Sequence, residues 1–254
     1  MQSEFVPVVE EATEECKRYF KDSFCTAYLH GSIALNDAVP YVSDMDYYLV
    51  VSKNVDSKDK EYIAGLENTL QGKYDVVNGV HINVHSIDEL KEDSFARFIL
   101  RYNSKVYSGE DIVKSLEESG CGRILPNADT AKGRLDFARQ CFSDALNGRQ
   151  PANTGDIPEN TFFAARKYAR YFVIIEGAYF LMTVNSFSSF EKEKVLNELR
   201  KITKGFEDIL GITERVLYDP IKTGISHNEY LTMIKPLVEY MFEKIQNERG
   251  GNTI

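Results

Sequence analysis

The residues of this chain best suited to chemistry are a Gly-Ser pair, Gly31-Ser32, and two aspartates one residue apart, Asp44 and Asp46. They lie in the run His30-Gly31-Ser32 … Ser43-Asp44-Met45-Asp46-Tyr47-Tyr48-Leu49-Val50-Val51, with eleven residues between Ser32 and Asp44. The run Met45 to Val51 predicts a strand, and residues two apart on a strand project from one face, so Asp44 and Asp46 are expected side by side. Paired carboxylates are hard oxygen ligands of the kind Mg²⁺ takes together with the phosphates of a substrate. A tight turn that opens a helix aims backbone N–H groups at one point, which suits a phosphate. Gly31 lets the chain turn and an anion approach closely, and the Ser32 hydroxyl can add a hydrogen bond. An Asp-x-Asp alone says little, because Asp44 can cap a turn and Asp46 can face solvent. Joined to a Gly-Ser turn, it supplies phosphate contacts and a metal site together.

The elements that must position these residues follow from hydrophobic spacing. Apolar residues at helical intervals from Phe5 to Phe20 predict an amphipathic helix, and Phe24 to Leu29 a strand ending at the Gly-Ser turn. A short helix is expected from Ile33 to Leu35 and a second amphipathic helix from Asp59 to Leu70, closed by Gly72. Asp75 to His85 reads as a third strand, with an interruption at Asn78-Gly79. From Thr130 onward the pattern is mostly helical, over Ala131–Leu146, Thr161–Met182, Glu191–Leu210 and Asn228–Gln246. The segment Asn147–Glu159, with two Pro and two Gly, reads as a connector or a loop beside a site. The expected fold class is α+β: an N-terminal domain over 1–115 with a mixed sheet and flanking helices, then a helical bundle over 125–254.

Composition bounds the partners. The charged fraction of 27% and hydrophobic fraction of 43% are those of an ordinary folded protein. A net charge of −9 disfavours nucleic acid as a partner, since backbone phosphates call for a basic surface. A small cationic molecule fits that charge better. The longest apolar stretch, Tyr171 to Leu181, is broken by Glu176 and Gly177 and is too short to span a bilayer. With no basic-then-apolar leader pattern at Met1–Glu15, a cytoplasmic location is the expectation. Cys16, Cys25, Cys121 and Cys141 are widely spaced and form no zinc or redox motif. No signal of oligomeric state is visible.

The run Leu29-His30-Gly31-Ser32 … Ser43-Asp44-Met45-Asp46-Tyr47-Tyr48-Leu49-Val50 resembles the signature of the DNA polymerase β-like nucleotidyltransferase superfamily. More narrowly it resembles the bacterial aminoglycoside adenylyltransferases of the streptomycin/spectinomycin type. Lys105-Val106-Tyr107-Ser108-Gly109-Glu110-Asp111 is similar to the segment that leaves the catalytic domain in those enzymes. The region of Glu159-Asn160, Ala165-Arg166 and Ala169-Arg170 is similar to their C-terminal helical domain. The resemblance implies attack by an acceptor hydroxyl on the α-phosphorus of ATP, with release of pyrophosphate and help from Mg²⁺. It implies that Asp44 and Asp46 are metal ligands and catalytic residues, and that Gly31 and Ser32 contact nucleotide phosphates. Basic residues of the helical domain would help hold the triphosphate, with Arg166, Lys167, Arg170 and Lys192 as candidates. Asp156 and Glu159 would meet a small cationic acceptor such as an aminoglycoside. For each charged helix residue, a solvated helix face or an ordinary N-terminal acid is the competing reading.

One position departs from the resembled pattern. A third carboxylate is expected from a neighbouring strand, and the matching strand is Val80-His81-Ile82-Asn83-Val84-His85. With Val80, Ile82 and Val84 turned to the core, His81, Asn83 and His85 share the other face. The expected acid position is His81, and no Asp or Glu lies on that face. Three explanations stand open: His81 is a general base; the chain binds nucleotide with impaired chemistry, as a regulatory or antitoxin-like protein; or the register is shifted and Asp75, Asp88 or Glu89 serves. A protein adenylyltransferase, modifying a Tyr or Ser of a partner, is a further alternative. The loop Asn36–Val42 is about a residue longer than the resembled pattern and would shape the mouth of the site.

Overall fold

Strand β2 (Met45–Val51) is the axis of the N-terminal unit. Its odd residues Met45, Tyr47, Leu49 and Val51 are buried in one apolar cluster, while Asp46 and Tyr48 on the other face are half-buried. A computed structural model describes residues 1–151 and 157–250, divided into two units, Met1–Leu125 and Pro126–Ile254. In the first, β1 (Phe24–His30), β2, β3 (Val80–Ser86) and β4 (Ser104–Gly109) form one sheet in the order β3-β2-β1-β4. The pairs β1/β2 and β1/β4 are antiparallel and β2/β3 is parallel, so the sheet is mixed. A parallel pair needs a crossover, supplied by α3 (Ser57–Lys73), whose start is fixed by an Asp56/Asp59 capping box.

One sheet face is covered by α1 (Val6–Phe20) and α3, whose Val8, Val9, Ala12, Cys16, Ile63, Leu66 and Leu70 pack on the inward residues of β1, β2 and β3. The Tyr47 phenol meets the Thr13 hydroxyl at 2.9 Å, so these two polar atoms driven into the layer satisfy each other. After the short α2 (Gly31–Ala34), the helices α4 (Ile87–Glu92), α5 (Ser94–Tyr102) and α6 (Ile112–Leu116) serve the other face. Leu90, Ala96, Leu100, Val113 and Leu116 pack there on Tyr28 and Val50. That apolar cover stops short of the last row, which holds His30, Asp46 and His81.

The second unit is helical: α7 (Ala128–Leu146), α8 (Thr161–Tyr168), α9 (Glu176–Asn185), α10 (Lys192–Ile202), α11 (Glu207–Tyr218), α12 (Pro220–Thr223) and α13 (His227–Gly250). Residues Ala169–Ile175 join α8 to α9 as a π-helical stretch. A π turn aligns residues five apart, and here it brings Tyr171 and Glu176 onto one guanidinium, that of Arg134, at 3.0 and 3.1 Å.

Several expectations are corrected. The third strand begins at Val80 and not at Asp75, and most of the segment Lys105–Asp111, likened to one that leaves the catalytic domain, lies in the edge strand β4. The single helix expected over Glu191–Leu210 is two, parted at Thr203–Phe206. Among the described residues no helix is long and apolar enough to cross a membrane.

Candidate functional site

Register places four polar side chains in one row across the sheet. His30 on β1 faces Asp46 on β2 and Ser104 on β4, and Asp46 faces His81 on β3. Directly paired residues share a face, so the Asp46 carboxylate stands between two imidazoles. The next row inward is Asn83, Tyr48 and Tyr28, where the apolar layer begins. Tyr48 stacks on His85 at 5.6 Å and meets the His30 ring edge-on at 6.1 Å. Burial, with the charges of Asp46 and Asp93 behind it, pushes the Tyr48 phenol up, so it stays protonated at neutral pH.

Two glycines frame the carboxylates. Gly31 has φ +68°, and a Cβ there would lie 2.9 Å from Asp46 Oδ2. The Gly-Ser turn is thus seated directly on the second aspartate, in a left-handed conformation that glycine adopts without steric cost. Its N–H donates to Asn103 O at 3.3 Å, and the His30 ring lies 3.1 Å from the same carbonyl through Nδ1. That carbonyl therefore anchors the turn to the end of α5. Gly79 does the equivalent for the first aspartate: a Cβ there would lie 3.1 Å from His81 Nε2 and 3.3 Å from Asp44 Oδ1. Asp44 and His81 hence converge over the bare backbone of Gly79. The approach is fixed by Asn78 N–H donating to Ser43 O at 3.0 Å and Met45 N–H to Gly79 O at 2.8 Å. These bonds extend the β2/β3 pairing beyond the strand ends.

The donor set fits a hard divalent cation. Asp44 and Asp46 supply oxygen; Asp44 Oδ1 is buried without a hydrogen-bond donor, and a single methyl at Gly31 or Gly79 would crowd a carboxylate. Among the described residues no three His, Cys, Asp or Glu side chains gather as a ready-made metal cluster. Mg²⁺ does not require one, since it completes its shell with water and substrate phosphate.

The residues singled out by sequence divide clearly. Gly31, Ser32, Asp44, Asp46 and His81 belong to one end of the sheet. Asn83 faces Tyr48 and His85 faces Val50, further along β3, so His81 alone of that strand reaches the carboxylates. Asp88 and Glu89 follow the opposite end of β3, where Asp88 pairs with Lys91 and Glu89 closes the capping box of α4 with Ser86. Asp75 is exposed in the turn before Asn78-Gly79. Arg166 is buried, 3% exposed, and its Nε–H donates to Leu217 O at 3.0 Å, closing the end of α11. Its expected contact with the triphosphate stays a proposal beside this bond. Arg170 on the π segment and Lys192 on α10 are half-buried, and the Lys192 ammonium stands 4.2 Å above the Tyr218 ring. Glu159 is exposed just ahead of Asn160, the N-cap of α8. Asp156 lies outside the described residues.

Sequence reasoning passed over Gly79 and His30 as site residues. For Gly79 the signal was the Asn-Gly pair, which reads as an ordinary turn. Nothing local announces that two side chains meet above it. His30 precedes the turn and carries the right residue type, but only the strand register brings it beside Asp46.

Comparison with known proteins bears on the fold. No family model matches the chain, and no curated protein sequence matches it. Among solved structures, the chain is similar to a spectinomycin adenyltransferase AAD(9) from Enterococcus faecialis, solved with ATP and spectinomycin. The match has a TM-score of 0.50 and 12% identity, and covers 95% of this chain and 99% of that one. The chain thus shares the fold of that structure over nearly its whole length. A toxin-antitoxin MntA-HpeT structure and a toxin-antitoxin with AMP-PNP overlap 54% of the chain, at 14% and 15% identity and TM-scores of 0.30 and 0.32. Those overlaps are too loose to say more.

Proposed function

We propose that this chain is a Mg²⁺-dependent nucleotidyltransferase that moves AMP from ATP to a hydroxyl of a small, cationic acceptor such as an aminoglycoside. In the reaction the acceptor oxygen forms a bond to the α-phosphorus, the bond to the pyrophosphate oxygen breaks, and the hydroxyl proton passes to a base. The observation that carries the reading is the seating of the Gly31-Ser32 turn on Asp46, with a Cβ position at residue 31 only 2.9 Å from its carboxylate. Phosphate-binding and metal-binding groups so close together serve one substrate that brings both a phosphate and a cation. When bound between Asp44 and Asp46, Mg²⁺ would neutralise charge on the phosphates. The Gly31-Ser32 turn orients the phosphate chain through backbone N–H groups of the short α2. His81, beside Asp44, is the candidate acceptor of the hydroxyl proton, because no carboxylate stands on that face of β3. The likeness to an adenyltransferase fold supports the class of reaction. The acceptor is proposed from the charge of −9 together with that likeness.

The test is transfer of label from [α-³²P]ATP to spectinomycin, streptomycin and other aminoglycosides in the presence of Mg²⁺, with Asp46→Asn as the control. Labelled acceptor is expected from the native chain and is lost in the variant. Transfer at full rate by Asp46→Asn overturns the assignment. A second reading has one observation in its favour, the imidazole where a third acid is expected: the chain binds ATP and does not turn it over, or turns over only on a protein hydroxyl. Calorimetric ATP binding with no labelled acceptor across the panel supports it.

A further inference from the structure

We infer that Tyr41 is the platform on which a ring-bearing acceptor stacks, and so a specificity-determining residue of the proposed transferase. The inference rests on that reading and extends it. Val42 N–H donates to Val39 O at 3.1 Å, closing a β-turn with Pro40 and Tyr41 at its centre. Tyr41 has φ +65°, in the left-handed region. That second central position, after a proline, is where glycine or asparagine is normally found. A bulky aromatic held there is a backbone outlier, and such strain persists only when the surroundings enforce it.

The surroundings do enforce it. Gln2 grips Ala38 through two hydrogen bonds of 3.0 and 3.1 Å, and the Ser43 hydroxyl accepts from Val39 N–H at 2.9 Å. Tyr41 N–H itself donates to Val76 O at 2.8 Å. Ala38 and Val42 are buried on either side, yet the Tyr41 residue is 66% exposed, the most exposed large hydrophobic of those described. Among the described residues no hydrogen bond or ring contact engages its side chain. The loop is therefore held from both sides, its backbone is strained, and the phenol carried by that strain is two-thirds exposed with no polar or ring contact.

Position decides what the ring serves. The phosphate turn follows β1, on one side of the carboxylates. Tyr41 is bonded to Val76, in the chain leading to Gly79 and His81, on the other side. It lies three residues before Asp44, in the stretch that extends the β2/β3 pairing beyond the strand ends. An acceptor whose hydroxyl reaches His81 would bring its ring to this side. An aromatic face attracts both C–H-rich ring faces and cationic groups, which matches the small cationic ring compounds proposed as acceptors.

The experiment compares the native chain with Tyr41→Asn and Tyr41→Phe, measuring steady-state transfer to spectinomycin and streptomycin, ATP affinity by calorimetry, and Tm. Asparagine tolerates the left-handed backbone, so Tyr41→Asn should keep or raise Tm, leave ATP affinity within about twofold and raise the acceptor KM about tenfold, the order of one aromatic contact with a cationic ring. Tyr41→Phe keeps the ring and should stay within about threefold of native on this view. An unchanged acceptor KM in Tyr41→Asn overturns the inference, as does a fall in ATP affinity, which would assign the ring to the nucleotide. A fall in Tm with no kinetic change assigns it to the fold and also overturns it. If the native chain labels neither acceptor, the transferase reading fails before any variant is compared, and this inference falls with it.

Discussion

A single methyl group at residue 79 separates the site from the scaffold. In Gly79→Ala the new carbon would sit 3.1 Å from His81 Nε2, 3.3 Å from Asp44 Oδ1 and 3.6 Å from Asp44 Cγ. Ordinary contacts of this kind are several tenths of an ångström longer, so one or both side chains must move. The backbone is not in the left-handed region there, so alanine itself is unstrained. Replacing glycine at such a position gains roughly 0.4–1 kcal/mol from the unfolded chain, which offsets the crowding. Stability should stay within about 1 kcal/mol of native, read by urea unfolding. Activity should not. Displacement of reacting groups by an ångström costs about 10²-fold, and a shift of a few tenths should cost on the order of tenfold, about 1.4 kcal/mol of barrier. Gly31→Ala is the contrasting case. Its φ of +68° adds roughly 1–2 kcal/mol of backbone strain, and its methyl would meet Asp46 Oδ2 at 2.9 Å, so stability and activity fall together. Labelled-AMP transfer and urea curves on both variants decide the matter. Full activity in Gly79→Ala would refute the idea that chemistry occurs where Asp44 and His81 converge.

Three further outcomes are expected. His81→Ala should lower the transfer rate by about 10²–10⁴, the usual contribution of a general base, and a loss within about twofold removes His81 from the mechanism. In the helical unit, burial pushes Glu176 up to about 7 against the pull of Arg134. The native state then binds a proton that the unfolded chain, at the ordinary carboxyl value of 4.5, has released. Its stabilisation is full below that value and is lost as pH rises towards 7, at no more than about 1.4 kcal/mol per pH unit. Urea midpoints at pH 5 and pH 8 should therefore fall less in Glu176→Gln than in the native chain, and an equal fall would assign the titration elsewhere. Arg166→Met leaves Leu217 O without this donor and should cost about 1–3 kcal/mol of stability, whereas Arg170→Met and Lys192→Met should each raise the ATP KM about tenfold, the loss of one charge-assisted contact; an unchanged KM in both takes these residues out of nucleotide binding.

Much of the scaffold could be read from the order of residues, because α1, β1, β2 and α3 each bury one face with regular spacing. The short helices α4, α5 and α6 lack room for periodicity, although Ser86, Asp93 and Asp111 announce their starts as N-caps. Strand β4 escaped for another reason. It is an edge strand whose Lys105 and Val106 are exposed, so it shows no alternation to detect. The π segment is invisible to a search at helical spacing, since Tyr171 and Glu176 are five apart and meet only through Arg134. Within the site, the carboxylates and the Gly-Ser turn are local in sequence and were legible. Gly79 and Tyr41 were not, because what distinguishes them is a tertiary approach in one case and a backbone angle in the other.

The imidazole at position 81 changes the electrostatics of the site as well as its proton chemistry. Three carboxylates at one sheet end repel one another strongly and hold a divalent cation in the absence of substrate. Two carboxylates with a histidine opposite bring one negative charge fewer and one hard oxygen ligand fewer. Mg²⁺ prefers oxygen and parts with water reluctantly, so the missing ligand is better replaced by a phosphate oxygen than by the imidazole. On the proposed reading the nucleotide would supply both charge and ligand, with its phosphates oriented by the turn seated on Asp46. Cation and nucleotide would then be mutually dependent, each raising the affinity of the other by the same factor. The departure at His81 and the seating of Gly31 on Asp46 are in this sense one design. A site short of a carboxylate would be completed by the substrate that the adjacent turn is proposed to hold.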